Sequence, residues 1–199
     1  TGLLRAEIPV GSIEVVSNDT VICRVSSTVF LTDVLECTVT DAQHDLELDP
    51  DTNLDELPIV VVLDDGVNFP DSLEPIVVEH WLPTGSKGGQ CKHGTEVASK
   101  ASFANVGEQI ATGRMTPRAR IIDCNIRDET RISEDTMIRR IKEAVETFHE
   151  AAKIYNFSSA AEAPIDGDII SNLGYELDYL SYKFEVKFTI AAGNHKLYR

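Results

Sequence analysis

The chain is short of positive charge, of aromatic residues and of paired cysteines. Among its 199 residues, 18 are Lys or Arg against 33 Asp or Glu, a formal net charge of -15. Such an excess of acid repels phosphate backbones and anionic headgroups, which argues against non-specific nucleic-acid binding and against an anionic membrane surface. Cys23, Cys37, Cys91 and Cys124 stand far apart with no C-x-x-C pair. That removes zinc ribbons and dithiol redox motifs, and leaves buried free thiols in a reducing compartment as the expectation. No apolar run reaches the roughly 18 residues of a membrane span, and no secretory hydrophobic region is visible, a reading that favours the cytoplasm over secretion. Thr1 and the terminal Tyr198-Arg199, just after a strand-like run, read as cut ends of a longer chain.

What is present suits a packed core, since 42% of the residues are hydrophobic. Residues 3–40 alternate: Ile8, Val10, Ile13, Val15, Val21, Cys23, Val25, Val29 and Leu31 recur mostly at every second position, which predicts a few antiparallel strands. The acidic stretch from Thr40 to Leu57 reads as a linker, so residues 1–57 form a β-rich segment with an acidic connection and residues 58–199 a second unit. There the pattern changes. Ile59–Leu63 is a continuous β-branched run of the kind covered on both faces. Residues 67–92 read as a long loop, His93–Phe103 as a helix and Arg120–Ile126 as a second buried strand. Ser133 is a plausible N-cap before Met137, Ile138, Ile141, Val145 and Phe148 at helical spacing. A third strand over Ala152–Ser158, a helix marked by Leu173, Leu177, Leu180 and Phe184, and a fourth strand at Val186–Ala192 complete the order. Strands alternating with helices predict an α/β fold, three layers α/β/α with a mostly parallel sheet, preceded by the small β-rich segment.

In such a sheet ligands gather outside the carboxyl ends of the strands. That rule selects Asp64-Asp65, Asn125–Arg127, Asn156–Ser159 and Gly193-Asn194, with His93 opening a helix near the same edge. Each has a plainer explanation alone. Asp-Gly is a common turn, Asn194 after Gly193 suits a left-handed turn, and Cys91-x-His93 without further spaced ligands is poor evidence for zinc. His44, His80, His149 and His195 read as solvated or structural, and Arg139-Arg140-Lys142 as a solvated helix face.

The order of the pieces lifts them above these explanations. VVVLDDGV, then HGTEVAS beginning 29 residues after Asp64, then FTIAAGN near the end, resembles the subtilisin-like serine peptidases, the subtilases. That family has a strand ending in D-S/T-G, a helix opening with H-G-T-H-V-A-G and a strand ending in A-A-G-N. The resemblance covers about Pro58 to His195 and implies a truncated subtilisin-like domain, the N-terminal portion of a divergent branch. By the same resemblance Asp64 is the triad aspartate, His93 the triad histidine and Asn194 the oxyanion-hole asparagine. Asn125, Ile126 and Arg127, and Phe157, Ser158, Ser159 and Ala160, are then two backbone segments flanking an extended polypeptide substrate. Asp65 fills a slot the family gives to a hydroxyl and is expected to be incidental.

The resemblance departs in places. The nucleophile motif G-T-S-M-A-x-P is absent from these residues, and neither Ser158 nor Ser171 lies in its context. The polypeptide is therefore expected to be inactive alone and a serine endopeptidase in full-length form. Glu96 and Ser99 replace the second His and the second Gly of the helix motif. No cofactor is expected; calcium is common in the family, but no ligand cluster for it is visible. Two other classes stay open. One is a pseudo-peptidase or peptide-binding interaction module. The other is a Mg²⁺-dependent phosphatase-like domain, disfavoured because adjacent acids on an extended strand point to opposite faces.

Overall fold

The computed structural model describes residues 6–18, 29–33, 45–129, 131–161 and 170–191. In chain order the elements are α1 (Ile13–Ser17), β1 (Phe30–Asp33), β2 (Glu47–Leu48), β3 (Ile59–Asp64), β4 (Val77–Trp81), α2 (His93–Ser102), α3 (Val106–Thr112), β5 (Arg114–Met115), β6 (Arg120–Asn125), β7 (Arg131–Ser133), α4 (Glu134–Phe148), β8 (Ile154–Phe157), β9 (Ser159–Ala161), α5 (Asn172–Phe184) and β10 (Lys187–Ile190). The main sheet has five parallel strands in the order β10-β8-β3-β6-β4. This is the expected α/β architecture, with helices on both faces.

The continuous apolar run of β3 is explained by its central place. Val61 and Leu63 belong to one buried cluster with Ile122 of β6 and with Met137, Ile141, Leu177 and Leu180 of α4 and α5 on one face. Val62 belongs to another with Ala98, Phe103, Met115 and Ile121, on the side of α2. Alternate residues thus feed opposite layers and none is exposed.

Three expectations change. The alternation at Ile13 and Val15 produces a helical turn, not a strand. Val10 is 85% exposed and Val15 74%; among the described residues neither pairs in a sheet, and local bonds such as Asn18 N–H to the Glu14 carbonyl serve the backbone instead. Most of the remaining expected strands of residues 3–40 lie outside the described residues. The expected loop of residues 67–92 contains β4, an edge strand whose register slips between Val77 and Glu79. Its charged Glu79 and His80 suit an edge and hide the β pattern. The residues read as a linker are also tied down. β2 pairs in parallel with β5, Arg114 reaches Asp49 and Asp51, and Leu46, Leu48 and Leu54 pack on the α2-side core.

The helix starts follow their caps. Ser133 has the extended backbone of an N-cap, φ -68° and ψ 145°, before α4. α5 begins at Ser171, whose hydroxyl accepts from the Gly174 N–H at 3.0 Å. Glu134, buried at the start of α4, reaches across to α5 and accepts from the Leu173 N–H at 3.0 Å.

Arg140 corrects the reading of its cluster as a solvated face. Its side chain is only 6% exposed, and it donates to the Ile126 carbonyl at 2.7 Å and to both carboxylate oxygens of Asp128 at 2.7 and 2.9 Å. The guanidinium holds the Asp128 carboxyl down at about 2. Removing one partner of a buried pair strands the other, so Arg140→Ala is expected to cost about 3–5 kcal/mol in urea unfolding. Arg139→Ala, on the exposed side of α4, is expected to cost under about 0.5 kcal/mol.

Candidate active site

The strand order brings the ends of β3, β6 and β8 side by side, because Asp64 pairs with Asn125 and Leu63 with Phe157. Asp64 shares the β3 face of Val62 and therefore looks toward α2, where His93 is the first helical residue. His93 Nδ1 lies 2.9 Å from both carboxylate oxygens of Asp64. A carboxylate can only accept, so Nδ1 carries the proton and Nε2 is the basic nitrogen of the neutral ring. Asp64 is 1% exposed and also accepts from the Asp65 N–H at 2.8 Å. The His93 side chain retains 17% exposure. A buried carboxylate that fixes the tautomer of a part-exposed imidazole gives the geometry that an oriented general base requires.

Asp65 is not incidental. The chain leaves β3 after Asp64 and turns at Gly66, where φ is +102°. That turn brings the second acid toward the same helix. Its Oδ1 accepts from the Gly94 N–H at 2.7 Å, and its Oδ2 from the N–H groups of Lys92 at 3.2 Å and His93 at 3.4 Å. The first turn of α2 has no capping side chain of its own, Lys92 standing at its N-cap. Asp65 satisfies the orphan amides from outside and sets its negative charge at the positive end of the helix. The missing Ser, Thr, Asp or Asn before HGTEVAS was the sequence signal for such an outside acceptor. Gly94 allows the approach: a Cβ there would stand 2.3 Å from the Gly66 carbonyl oxygen.

The other predicted residues divide. Asn125 accepts from the Gly89 N–H at 2.8 Å, holding the loop before α2. Ile126 is fully buried, and its N–H donates to the Asp64 carbonyl at 2.8 Å. Arg127 is 1% exposed and donates to Ser159 Oγ at 2.6 Å, joining the two predicted flanking segments. Phe157 is buried. Ser158 donates to Asn156 at 2.8 Å, and Ala160 lies in β9. Asn194 lies outside the described residues. Sequence reasoning missed β7, Arg131–Ser133, which forms a second sheet with β9 in the order β7-β1-β9.

Behind the turn, Asp123 accepts from the Val67 N–H at 3.0 Å and contacts His80 Nδ1 at 2.8 Å, while His80 Nε2 meets Glu74 at 2.7 Å. Burial pulls the His80 pKa down, but the hydrogen bonds to Glu74 and Asp123 outweigh it and the net shift is upward. Burial pushes the Asp123 carboxyl up, against the pull of His80 and Val67. Among the described residues no group of three or more His, Cys, Asp or Glu is placed to hold a metal ion. The oxygens of Asp64 and Asp65 accept from His93 and from α2 amides. Cys124 is a buried free thiol and Cys91 a half-buried one.

Comparison with protein families identifies the family. The family model described as Subtilase family matches residues 57–198, and the chain belongs to that family of serine peptidases. A search of curated proteins finds no match.

Two outcomes test the site. Asp65→Ala is expected to cost about 1–2 kcal/mol in urea unfolding, the usual loss for a helix cap, and to shift the His93 ring resonances in NMR spectra. Asp65→Ser should recover part of both. A His pKa raised by folding adds stability that is full below the unfolded value and lost as pH rises through the folded one. The melting temperature gap between the wild type and His80→Gln is therefore expected to be widest below about pH 6.5, the ordinary His value, and to close above it.

Proposed function

We propose that the chain carries the acid–base half of an Asp–His–Ser triad that hydrolyses peptide bonds in polypeptide substrates. One observation carries the reading: the buried Asp64 carboxylate bound through both oxygens to His93 Nδ1. In this role His93 Nε2 takes the proton of a serine hydroxyl as it attacks the scissile carbonyl and returns it to the leaving amine, while Asp64 stabilises the imidazolium formed between the two steps. Asn194 is the proposed donor to the developing oxyanion, a contact of the kind worth about 2.7–4 kcal/mol in the subtilisin example of an oxyanion-hole asparagine. The motif G-T-S-M-A-x-P is not among these residues, so the polypeptide alone is proposed to be inactive by this route, the serine coming from sequence outside it.

The test is fluorophosphonate labelling and peptide turnover by a longer protein that carries the G-T-S segment. Labelling is expected, with His93→Ala abolishing it and Asp64→Asn lowering turnover by about 10⁴, as for the equivalent change in another serine-peptidase triad. A protein that labels not at all, or turns over equally well as Asp64→Asn, would overturn the proposal; peptide binding without labelling would mark a pseudo-peptidase.

A further inference from the structure

β6 carries two polar side chains on the face toward α2, and both brace the site. Asn125 holds the loop before α2 through the Gly89 N–H. Asp123, the register partner of Val62, holds the turn after β3. It is 3% exposed. One of its oxygens, Oδ2, accepts from the Val67 N–H at 3.0 Å and meets His80 Nδ1 at 2.8 Å. The other, Oδ1, is buried without a hydrogen-bond partner. His80 pairs with Asp123 from the edge strand β4. Its side chain is 48% exposed, and its Nε2 lies 2.7 Å from Glu74 Oε1.

The row Glu74–His80–Asp123 has the geometry of a charged brace. Both nitrogens of the His80 ring face carboxylate oxygens, and a carboxylate only accepts, so both nitrogens donate and the ring is an imidazolium. Asp123 needs that cation. A buried carboxylate with one bare oxygen is costly unless a positive charge offsets it, and Asp65 adds a like charge across the turn. The bond to Val67 lands on the turn that shapes the site. Only Gly66, with φ +102°, separates Val67 from Asp65. Asp65 and Asn68 tie this turn to α2, Asn68 through its N–H to Thr95 Oγ1 at 2.9 Å. Asp123 ties it to the sheet. Of the other neighbours, Glu79 precedes His80 in β4 and is acidic, β3 presents Val62, and α2 packs Ala98 in the same layer. Burial pushes the Cys91 and Cys124 thiols up, so both stay neutral while His80 titrates.

We propose that His80 and Asp123 are positioning residues of the site, a second imidazole–carboxylate pair that holds the turn from Asp64 to Val67 against α2 while the His80 ring is protonated and loosens it when the proton leaves. The reaction is taken from the peptidase reading; the brace itself is read from the hydrogen bonds. Neither residue touches the reacting atoms. They act through Val67, then Asp65, then the α2 amides that seat His93. With the ring neutral, one of its nitrogens faces a carboxylate lone pair to lone pair, and the buried charge of Asp123 stands against that of Asp65. Burial favours the neutral ring, but the hydrogen bonds to Glu74 and Asp123 outweigh it, so the proton leaves above about pH 6.5, the ordinary His value. A peptidase built this way has a bell-shaped pH profile with two different histidines on its limbs. The acid limb belongs to His93, which must be neutral to act as a base. The alkaline limb belongs to His80, which must be charged.

The test starts on the 199-residue chain and needs no catalysis. The His93 Nδ1 proton and the amides of Asp65, Val67 and Gly94 are followed by NMR across the His80 titration. In the wild type their shifts should show a step with the midpoint of the His80 ring, apart from any step of His93 itself. Glu74→Gln, at the exposed end, removes one bond that keeps the proton and should move that midpoint down. His80→Arg keeps a cation that does not titrate, so the step should vanish and the low-pH shifts persist. His80→Leu should lose the step with the high-pH shifts throughout, and the Val67 amide should exchange about tenfold faster or more, the usual weight of a hydrogen bond to a charged group. Site amides that ignore the His80 midpoint, or matching site spectra for the Arg and Leu variants, would overturn the proposal. Should His80→Leu unfold, the wild-type step and its movement in Glu74→Gln decide. In a longer protein with the G-T-S segment, kcat should fall above the His80 midpoint at constant KM, and His80→Arg should carry kcat to higher pH; superimposable profiles would count against the brace. Absent fluorophosphonate labelling of that protein would sink the peptidase reading and leave the NMR result to decide the brace.

Discussion

The site depends on the contact between the end of β3 and the first turn of α2. Two adjacent acids serve it in different ways. Asp64, last in the strand, fixes the imidazole; Asp65, first in the turn, fixes the helix that carries the imidazole. The two interactions meet at the same helix start. Without the cap, the orphan amides of Lys92, His93 and Gly94 would need water at a packed junction. Without the glycine at position 94, the helix could not approach the Gly66 carbonyl. The pair is one device for positioning one ring.

Around that device the structure uses buried charge sparingly, always with partners. Arg127 links the end of β6 to β9, Arg140 ties the Ile126 carbonyl and Asp128 to α4, and Glu134 links α4 to the start of α5. Each joins a loop or strand end at the carboxyl edge to a rigid element. A chain of net charge -15 thus places its few buried cations where loops must hold a shape, and leaves most of its acids to solvent.

Much of the fold was legible where one residue type serves one purpose. The run Ile59–Leu63 is apolar because both faces are covered, and α4 shows its buried face at helical spacing. The motif order singled out Asp64 and His93, and the structure sets them 2.9 Å apart. What was hidden depends on partners distant in sequence. β7 and β9 are three residues each, too short to show a period, and become strands only because β1 lies between them. Asp65 reads as a misplaced hydroxyl until the helix 27 to 29 residues away is packed on it. Arg140 sits in a basic, outward-looking run, and only the loop after β6 turns it inward.

The clasp between β2 and β5 has one more consequence. Because Glu47 and Leu48 are laddered to Arg114 and Met115, and Asp49 is held by Arg114, the acidic stretch does not swing freely as far as Pro58. Its anchor lies near Asp45, and only the eleven residues Val34–His44 connect that anchor to Asp33. Eleven residues fully extended reach no more than about 40 Å, so the clasp bounds where β1 can lie, and the acidic stretch is a tether more than a spacer.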